Sequence, residues 1–231
     1  MNYEADEMMS VAAARALDGV NACFVGIGLP STGANLARRT SNPDLVLVYE
    51  AGAIGAKPPR LPLSIGDGML GETADAVVGV PEIFNYWVQP GRIDVGFLGA
   101  AQIDRCGNLN STVIGDYDQP KVRLPGGGGA PEIATSARDV FVMLRQTPRT
   151  FVPELDFTTS VGDRVRVVVT DLGILEPVDG ELTLVATHPG VGVDEARAAT
   201  GWELRVAEEL HETEPPTADE LAALRTLREA A

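Results

Sequence analysis

Apolar positions recur along the chain with two periods, one typical of helices and the other typical of strands. Residues 4–17 place apolar side chains at helical spacing among helix-forming residues, which predicts an amphipathic helix. Residues 22–25 and 45–49 are short continuous apolar runs, as expected for strands whose two faces are both covered. The second run ends at Glu50, so an acidic residue directly follows a strand that the pattern predicts to be buried.

The same alternation of helices and strands continues along the rest of the chain. Further strands are predicted at residues 93–98, 139–144, 164–170 and 181–186, and further helices at residues 81–89, 193–200 and 217–231. Another helix is expected to start at a cap formed by Ser31 or Thr32 and to run to Arg39. This order predicts an α/β fold with three layers, α/β/α, around a mainly parallel sheet. The length suits one domain, residues 1–231, in which residues 212–231 are expected to form a C-terminal helical tail.

Charge and composition indicate which binding partners and which cellular location the protein has. The formal net charge is −15 and no cluster of Lys and Arg is present, which argues against nucleic acid as a partner. No apolar run approaches the ~20 residues that a membrane helix needs, and the first residues lack the pattern of a secretory signal. With Cys23 and Cys106 as the two cysteines, we expect a soluble, cytoplasmic protein with reduced thiols.

Glu50 is the first candidate for catalysis, because ligands of open α/β sheets bind beyond the carboxyl ends of the strands. It opens the glycine-bearing loop Glu50-Ala-Gly-Ala-Ile-Gly-Ala56. Partial removal from water makes a carboxylate at such a place a better nucleophile or base. The alternative is that Glu50 is simply a solvated acid at the end of a strand.

A run of four glycines is the second candidate, and it precedes a segment of helical character. The glycines are Gly126, Gly127, Gly128 and Gly129. Their amides can converge on an anion or on a developing oxyanion, although a flexible surface turn explains the same residues. The turn Gly26-Ile-Gly-Leu-Pro30 is a third place at which backbone amides can meet a phosphate.

Two other kinds of chemistry find little support in the sequence. His188 and His211 have no spacing typical of metal ligands, so no metal site is expected. No Gly-x-Ser-x-Gly elbow is present to support a serine hydrolase.

Taken together, several segments resemble the β subunits of class I coenzyme A-transferases, such as glutaconate CoA-transferase. They are Gly26-Ile-Gly-Leu-Pro30, Val48-Tyr-Glu-Ala-Gly52, Leu124-Pro-Gly-Gly-Gly-Gly-Ala130, His188-Pro-Gly-Val-Gly-Val193 and Thr200-Gly-Trp202. The resemblance covers nearly the whole chain. It implies the CoA-transferase-like fold, a homologous α subunit in an αβ or α2β2 assembly, and coenzyme A as part of the substrate rather than as a bound cofactor.

The resemblance also implies roles for particular residues. In the family, the glutamate of a Glu-Ser-Gly or Glu-Asn-Gly triplet attacks the acyl-CoA and later carries CoA as a thioester, and it matches Glu50. The glycine loop, which matches Gly126–Gly129, helps to form an oxyanion hole. Here the triplet is Glu50-Ala51-Gly52, so the polar middle side chain is missing, and a Ser or Asn that helps to orient the carboxylate is lost.

Within the family, two stretches look closest to IpdB, the β subunit of a steroid ring-cleaving CoA-thioester hydrolase of actinobacteria. They are residues 60–67 and 84–91. Together with Ala51 they favour a hydrolase that opens the last steroid ring by a retro-Claisen reaction, with a carboxylate as general base. That base is either Glu50 or a carboxylate of the partner subunit. Ala51, Gly52, Tyr86 and Trp87 are then candidates for the substrate pocket, although Tyr86 and Trp87 also suit an ordinary core.

Three alternatives stay open beside the hydrolase. The first is an acyl-CoA:carboxylate CoA-transferase with Glu50 as covalent carrier, and the second is a non-catalytic structural subunit, since fold alone does not imply activity. The third, a sugar-phosphate isomerase, ranks last because only Lys121 and Arg123 lie near the glycine loop. The scarcity of basic residues also supports a partner subunit that holds the phosphates of CoA.

Overall fold

The computed structural model of the chain describes residues 2–229. Its helices are α1 (Ala5–Ala16), α2 (Leu29–Arg39), α3 (Gly68–Thr73), α4 (Val80–Ile83), which continues as a π-helical turn (Phe84–Val88), α5 (Ala130–Ser136), α6 (Val193–Ala198) and α7 (Ala218–Glu229). The strands are β1 (Ala22–Val25), β2 (Val46–Val48), β3 (Ala53–Ile54), β4 (Ala76–Val77), β5 (Val95–Leu98), β6 (Gln102–Ile103), β7 (Leu109–Asn110), β8 (Val113–Gly115), β9 (Pro120–Arg123), β10 (Asp139–Met143), β11 (Val165–Val169), β12 (Gly173–Val178), β13 (Glu181–Thr187) and β14 (Arg205–Glu212). None of these helices is long and apolar enough to cross a membrane.

Ten of the strands form one sheet in the order β14-β13-β12-β11-β10-β5-β1-β2-β3-β4. Its centre, from β11 to β2, is parallel throughout. The pairs of β12 with its neighbours, and those of β3 with β2 and β4, are antiparallel. The predicted α/β fold with a mainly parallel sheet is therefore confirmed.

Alternate side chains of the central strands enter two separate apolar cores, as the pleat of a strand requires. In β1, Cys23 and Val25 face the core formed with α1, α2 and α7, whereas Phe24 faces the core on the other side. That second core contains Ile133 of α5 and Val88 of the π-helical turn. Helices therefore cover both faces of the sheet, in the three layers that the sequence predicts.

The C-terminal helix packs against the first helix rather than extending away from the domain. Leu224 and Leu227 of α7 are buried in the core shared with α1 and α2. Two ion pairs join the helices: Arg15 lies 2.7 Å from Glu220, and Arg225 lies 2.7 Å from Glu7. The predicted helix over residues 217–231 is observed up to residue 229, and residues 230 and 231 lie outside the described part of the chain.

The start of α2 corrects one detail of the sequence analysis. Ser31 and Thr32 do not cap this helix but lie inside its first turns, and Gly28 occupies the cap position with φ of +92°. A glycine reaches this backbone conformation without the steric penalty of a Cβ atom, and Pro30 suits the first turn because its amide needs no acceptor there.

Four strands of the large sheet were not predicted: β12 and β14 lie toward one edge, and β3 and β4 form the other. Residues 205–212 include several acidic side chains and lack a continuous apolar run, as suits β14, which is an edge strand with exposed residues. Charged side chains on such an edge hinder pairing with the edge of another sheet.

Candidate active site

Glu50 lies in a tight turn that joins β2 to β3. The amide of Gly52 donates to the carbonyl oxygen of Tyr49 at 3.0 Å, and the amide of Tyr49 donates to that of Ala53 at 2.9 Å. Gly52 has φ of +112°, and a Cβ atom there would lie 1.9 Å from the Val78 carbonyl oxygen. Only glycine fits this position, and the turn therefore fixes Glu50 at the carboxyl end of β2.

The residue before Glu50 is anchored to α2. Tyr49 is fully buried, and its hydroxyl oxygen accepts a hydrogen bond of 2.9 Å from Nδ2 of Asn35. Burial raises the pKa of Tyr49 to about 12, so the hydroxyl stays neutral at physiological pH. This hydrogen bond fixes the end of β2 to α2, while the Glu50 side chain remains partly accessible.

The four glycines form a loop that is pinned at its first residue. The Gly126 amide donates to the Ser111 carbonyl oxygen at 2.9 Å, and the Ser111 hydroxyl donates to the Gly126 carbonyl oxygen at 3.0 Å. Gly126 and Gly128 have φ of +94° and +48°, in the region that favours glycine. Within residues 2–229, the amides of Gly127, Gly128 and Gly129 donate no hydrogen bond, so they are available to an anion.

The glycine loop and Glu50 meet. A Cβ atom on Gly129 would lie 3.2 Å from Oε1 of Glu50, and one on Gly128 would lie 3.9 Å from the same atom. The Phe84 ring also packs against the loop here, since its Cζ atom would be 2.5 Å from the same Cβ atom on Gly129. The Phe84 ring therefore leaves no room for a side chain at this position, and a Cβ atom there would also crowd the Glu50 carboxylate.

Both features line a cavity of about 380 Å³, which we call the glutamate cavity. Its walls include Glu50, the four glycines, Gly26 and Ile27 of the first glycine turn, Ile65 and Ser111. Among the described residues that line it, Glu50 carries the only charge. Three features that the sequence separates by up to about a hundred positions are thus brought together at one place.

The other predicted pocket residues lie elsewhere in this chain. Ala51 is exposed and Gly52 is buried in the turn, and neither lines the glutamate cavity. Tyr86 is 60% exposed, whereas Trp87 packs partly buried against the core. From that helical segment it is Phe84 that reaches the glycine loop.

Sequence reasoning missed Ser111 and Ile65 as cavity residues. Ser111 lies in an irregular stretch between two short strands, and no motif distinguishes it from other loop serines. Ile65 is 41% exposed, and it lies in an irregular segment that precedes α3. Tertiary contacts alone bring these two residues to the cavity.

His188, which begins the late Pro-Gly motif, is a buried structural residue. Its Nδ1 atom lies 2.9 Å from the Thr213 hydroxyl oxygen, and its Nε2 atom lies 2.9 Å from the Thr170 carbonyl oxygen. Burial lowers the pKa of His188 below its ordinary value. No group of three or more metal-binding side chains suited to a metal ion occurs in the described part of the chain.

Comparison with known proteins places these observations in a family. The family described as coenzyme A transferase matches residues 6–199. The chain belongs to the coenzyme A transferase family. It is 58% identical to the β-type subunit of 3-oxoadipate CoA-transferase from Pseudomonas knackmussii, over 97% of this chain and 93% of that protein. This family membership confirms the resemblance that the motifs indicate.

Two further comparisons bear on fold and on reaction. The crystal structure of glutaconate coenzyme A-transferase from Acidaminococcus fermentans superposes with a TM-score of 0.92 at 28% identity, covering 99% of this chain and 96% of that one. The cholesterol ring-cleaving hydrolase IpdB subunit of Rhodococcus jostii is 29% identical, over 85% of this chain and 80% of that protein. The CoA-transferase alternative is thus better supported than the ring-cleaving hydrolase that the sequence analysis favoured.

Proposed function

We propose that this chain is the β subunit of a heteromeric acyl-CoA:carboxylate CoA-transferase and that Glu50 carries CoA during turnover. The observation that supports the proposal most directly is the approach of the Glu50 carboxylate to the backbone of Gly129. A nucleophile and a set of unoccupied amides lie at the same wall of one cavity, which is the arrangement that acyl transfer needs.

The proposed cycle starts with attack by a Glu50 carboxylate oxygen on the thioester carbonyl carbon of the donor. The carbon–sulfur bond breaks, a mixed anhydride forms, and CoA leaves as the thiolate. The thiolate attacks the Glu50 carbonyl carbon, which releases the donor carboxylate and gives a glutamyl-CoA thioester. The acceptor carboxylate then attacks the glutamyl-CoA thioester, which releases the CoA thiolate and gives a second mixed anhydride. The thiolate attacks the acceptor carbonyl carbon of this anhydride, which gives the acceptor CoA thioester and regenerates the Glu50 carboxylate.

The amides of Gly127, Gly128 and Gly129 have a defined part in this cycle. Each attack produces a tetrahedral intermediate with a negatively charged oxygen next to Glu50. Donors that are already oriented toward such an oxygen stabilise it without reorganisation, and a lost donor typically costs about 100- to 1,000-fold in rate. The positive φ of Gly128 helps to turn the loop toward the carboxylate.

For the substrate, we infer a short dicarboxylic acid of the 3-oxoadipate type. The support is the 58% identity to the β-type subunit of 3-oxoadipate CoA-transferase, about twice the identity to the IpdB subunits. The steroid hydrolase remains a second candidate because Ala51 departs from the family triplet. Ala51 is exposed, however, and does not line the glutamate cavity, which weakens the argument from this departure.

We further propose that an α subunit completes the site. Among residues 2–229, no Lys or Arg lines the glutamate cavity, whereas CoA carries phosphates that need cationic partners. Tyr86 and Trp87, which lie outside the cavity in this chain, are proposed substrate-contacting residues only in that assembled state.

The test is an assay of the chain co-expressed with its partner subunit, as wild type, Glu50→Gln and Glu195→Gln. Glu195 is an exposed glutamate of α6 and serves as the matched control. With 3-oxoadipate as acceptor, the account predicts a loss of about 10⁴-fold or more in kcat for Glu50→Gln and the wild-type rate for Glu195→Gln. A structural subunit would tolerate both substitutions.

The same preparations distinguish transfer from hydrolysis. A ring-ketone acyl-CoA is supplied in ¹⁸O-labelled water, and the products are analysed by mass spectrometry. The proposal predicts no label in a new carboxylate and no broken carbon–carbon bond. Label in a new carboxylate, with CoA still attached to its acyl chain, would establish the hydrolase instead.

A further inference from the structure

A second cavity, of about 520 Å³, lies at the β14 edge of the sheet. Its walls carry the side chains of Arg105, Glu181, Arg197, Trp202, Glu203 and Arg205, and we call it the arginine cavity. The four strands β10, β11, β12 and β13 separate β14 from β5, which lies beside the glutamate cavity. The two cavities share none of the described lining residues.

The three guanidinium groups come from separate parts of the fold. Arg105 belongs to the loop between β6 and β7, Arg197 to α6 and Arg205 to β14. The loop is fixed to the sheet, since the Leu182 amide donates to the Arg105 carbonyl oxygen at 2.8 Å. Three positive charges therefore gather in one cavity on a chain whose formal net charge is −15.

These arginines lack the carboxylate hydrogen bonds that other arginines of the chain make. Arg15 and Arg225, for comparison, each donate two hydrogen bonds to one glutamate. The ion pairs of the cavity arginines are longer: Arg205 lies 3.6 Å from Glu181, and Arg197 lies 3.7 Å from Asp194, which is outside the cavity. Among the described residues, Arg105 has no ion pair within 4.0 Å and no hydrogen-bond acceptor for its side chain.

A further donor in the wall is also unsatisfied. Trp202 stacks on Phe151, with 5.6 Å between ring centroids, and its Nε1 atom is buried without an acceptor among the described residues. Because this atom is shielded from solvent, the donors that the cavity offers to a ligand are those of the three guanidinium groups. The cavity thus offers an excess of donors over acceptors, even though Glu181 and Glu203 reduce its net charge to one positive unit.

From this excess we propose that the arginine cavity binds a small multivalent oxyanion at a site separate from the glutamate cavity. Planar guanidinium groups with free N–H donors match the oxygen pairs of phosphates and carboxylates. Several anionic oxygens on one ligand can pair with more than one of the three arginines at once, so a multivalent anion is favoured over a monovalent one. Its site would let the level of an anionic metabolite act on the enzyme away from the chemistry.

The test is isothermal titration calorimetry of the assembled enzyme with pyrophosphate in one arm and citrate in the other. CoA is present throughout at a saturating concentration, which removes competition at the glutamate cavity. Saturable binding of pyrophosphate alone identifies a phosphate-type ligand, and binding of citrate alone identifies a polycarboxylate. Saturable binding in neither arm contradicts the proposal.

Substitutions locate the binding. Arg105→Gln and Arg197→Gln each remove a charge without leaving a hydrogen-bonded carboxylate behind, and Arg166→Gln is a matched control on β11, 55% exposed and outside the cavity. The proposal predicts an affinity about tenfold weaker for each cavity variant, equivalent to about 1.4 kcal/mol, and an unchanged affinity for the control. Equal weakening in all three variants would indicate non-specific attraction and would overturn the proposal.

Discussion

The backbone of Gly129 approaches Glu50 so closely that a Cβ atom there would lie 3.2 Å from the Glu50 Oε1 atom. Gly129 has φ of −83°, which any residue adopts, so the need for glycine comes from this approach and from the Phe84 ring. The contact joins the nucleophile that we propose to the loop that we propose as its oxyanion hole.

Gly129→Ala is therefore expected to displace the loop or the carboxylate and to lower kcat by about 100-fold, as a misplacement of about 1 Å does. Gly192→Ala is the matched control, because Gly192 caps α6 with φ of −87° and a Cβ atom there meets nothing within 4 Å. Steady-state kinetics of the two variants, with Tm as a check of folding, decide the question. Full activity in Gly129→Ala would show that the approach is not needed.

Gly52 allows a prediction about the turn that carries Glu50. Gly52→Ala adds a Cβ atom 1.9 Å from the Val78 carbonyl oxygen at a φ of +112°, so the turn has to open. We expect a loss of about 3 kcal/mol or more in the free energy of unfolding, measured with urea. Gly19→Ala is the control for the backbone effect alone, because Gly19 has φ of +72° and open space around it. Its expected loss in the free energy of unfolding is about 1 kcal/mol. Equal losses in the two variants would contradict the steric argument.

His188 predicts how stability depends on pH. Because burial lowers the pKa of His188 in the folded state, the folded protein favours the neutral ring. Its contribution to stability is present above the ordinary pKa of 6.5 and is lost as the pH falls from there toward the folded-state value. Tm should therefore decrease more steeply below pH 6.5 in the wild type than in His188→Gln.

His211, the other histidine of the chain, gives the control for this measurement. It is exposed, and His211→Gln makes the same chemical substitution at a site that is not buried. The comparison uses the change in Tm between about pH 7.5 and about pH 5.5, on either side of the ordinary pKa, rather than Tm itself, since His188→Gln also loses two hydrogen bonds. Parallel curves for the wild type and His188→Gln would show that His188 is not the titrating group.

The place of Glu50 was predictable because the signal is local. An apolar run of strand length followed by an acid and glycines puts the acid at the carboxyl end of a buried strand, and the structure has it there. The parallel centre of the sheet follows from the same alternation. By contrast, β14 carries its charges on an exposed edge, so no apolar period marks it.

The walls of the glutamate cavity were less predictable because they depend on tertiary contacts. Tyr86 and Trp87 lie in a π-helical turn, which rotates each side chain by less than an α-helix does. Helical spacing therefore does not tell which of residues 84–88 contacts the glycine loop, and Phe84 is the one that does. Ser111 donates a hydrogen bond to Gly126, and no sequence pattern predicts that these two residues come together.

A single departure from a motif is weak evidence for choosing between a transferase and a hydrolase. Ala51 suggested that the carboxylate had lost a partner, yet the position is exposed and does not line the cavity. Identity of 58% over nearly the full length outweighs two short stretches that resemble the hydrolase.

The central claim is that Glu50 carries CoA, and trapping that thioester tests it most directly. The assembled enzyme is incubated with donor acyl-CoA without acceptor, quenched, digested and analysed by peptide mass spectrometry, beside Glu50→Gln. The account predicts a peptide containing Glu50 that gains the mass of CoA less one water, and no such gain in the variant. An adduct confined to another glutamate or to the partner subunit, or no adduct while transfer proceeds, would contradict it.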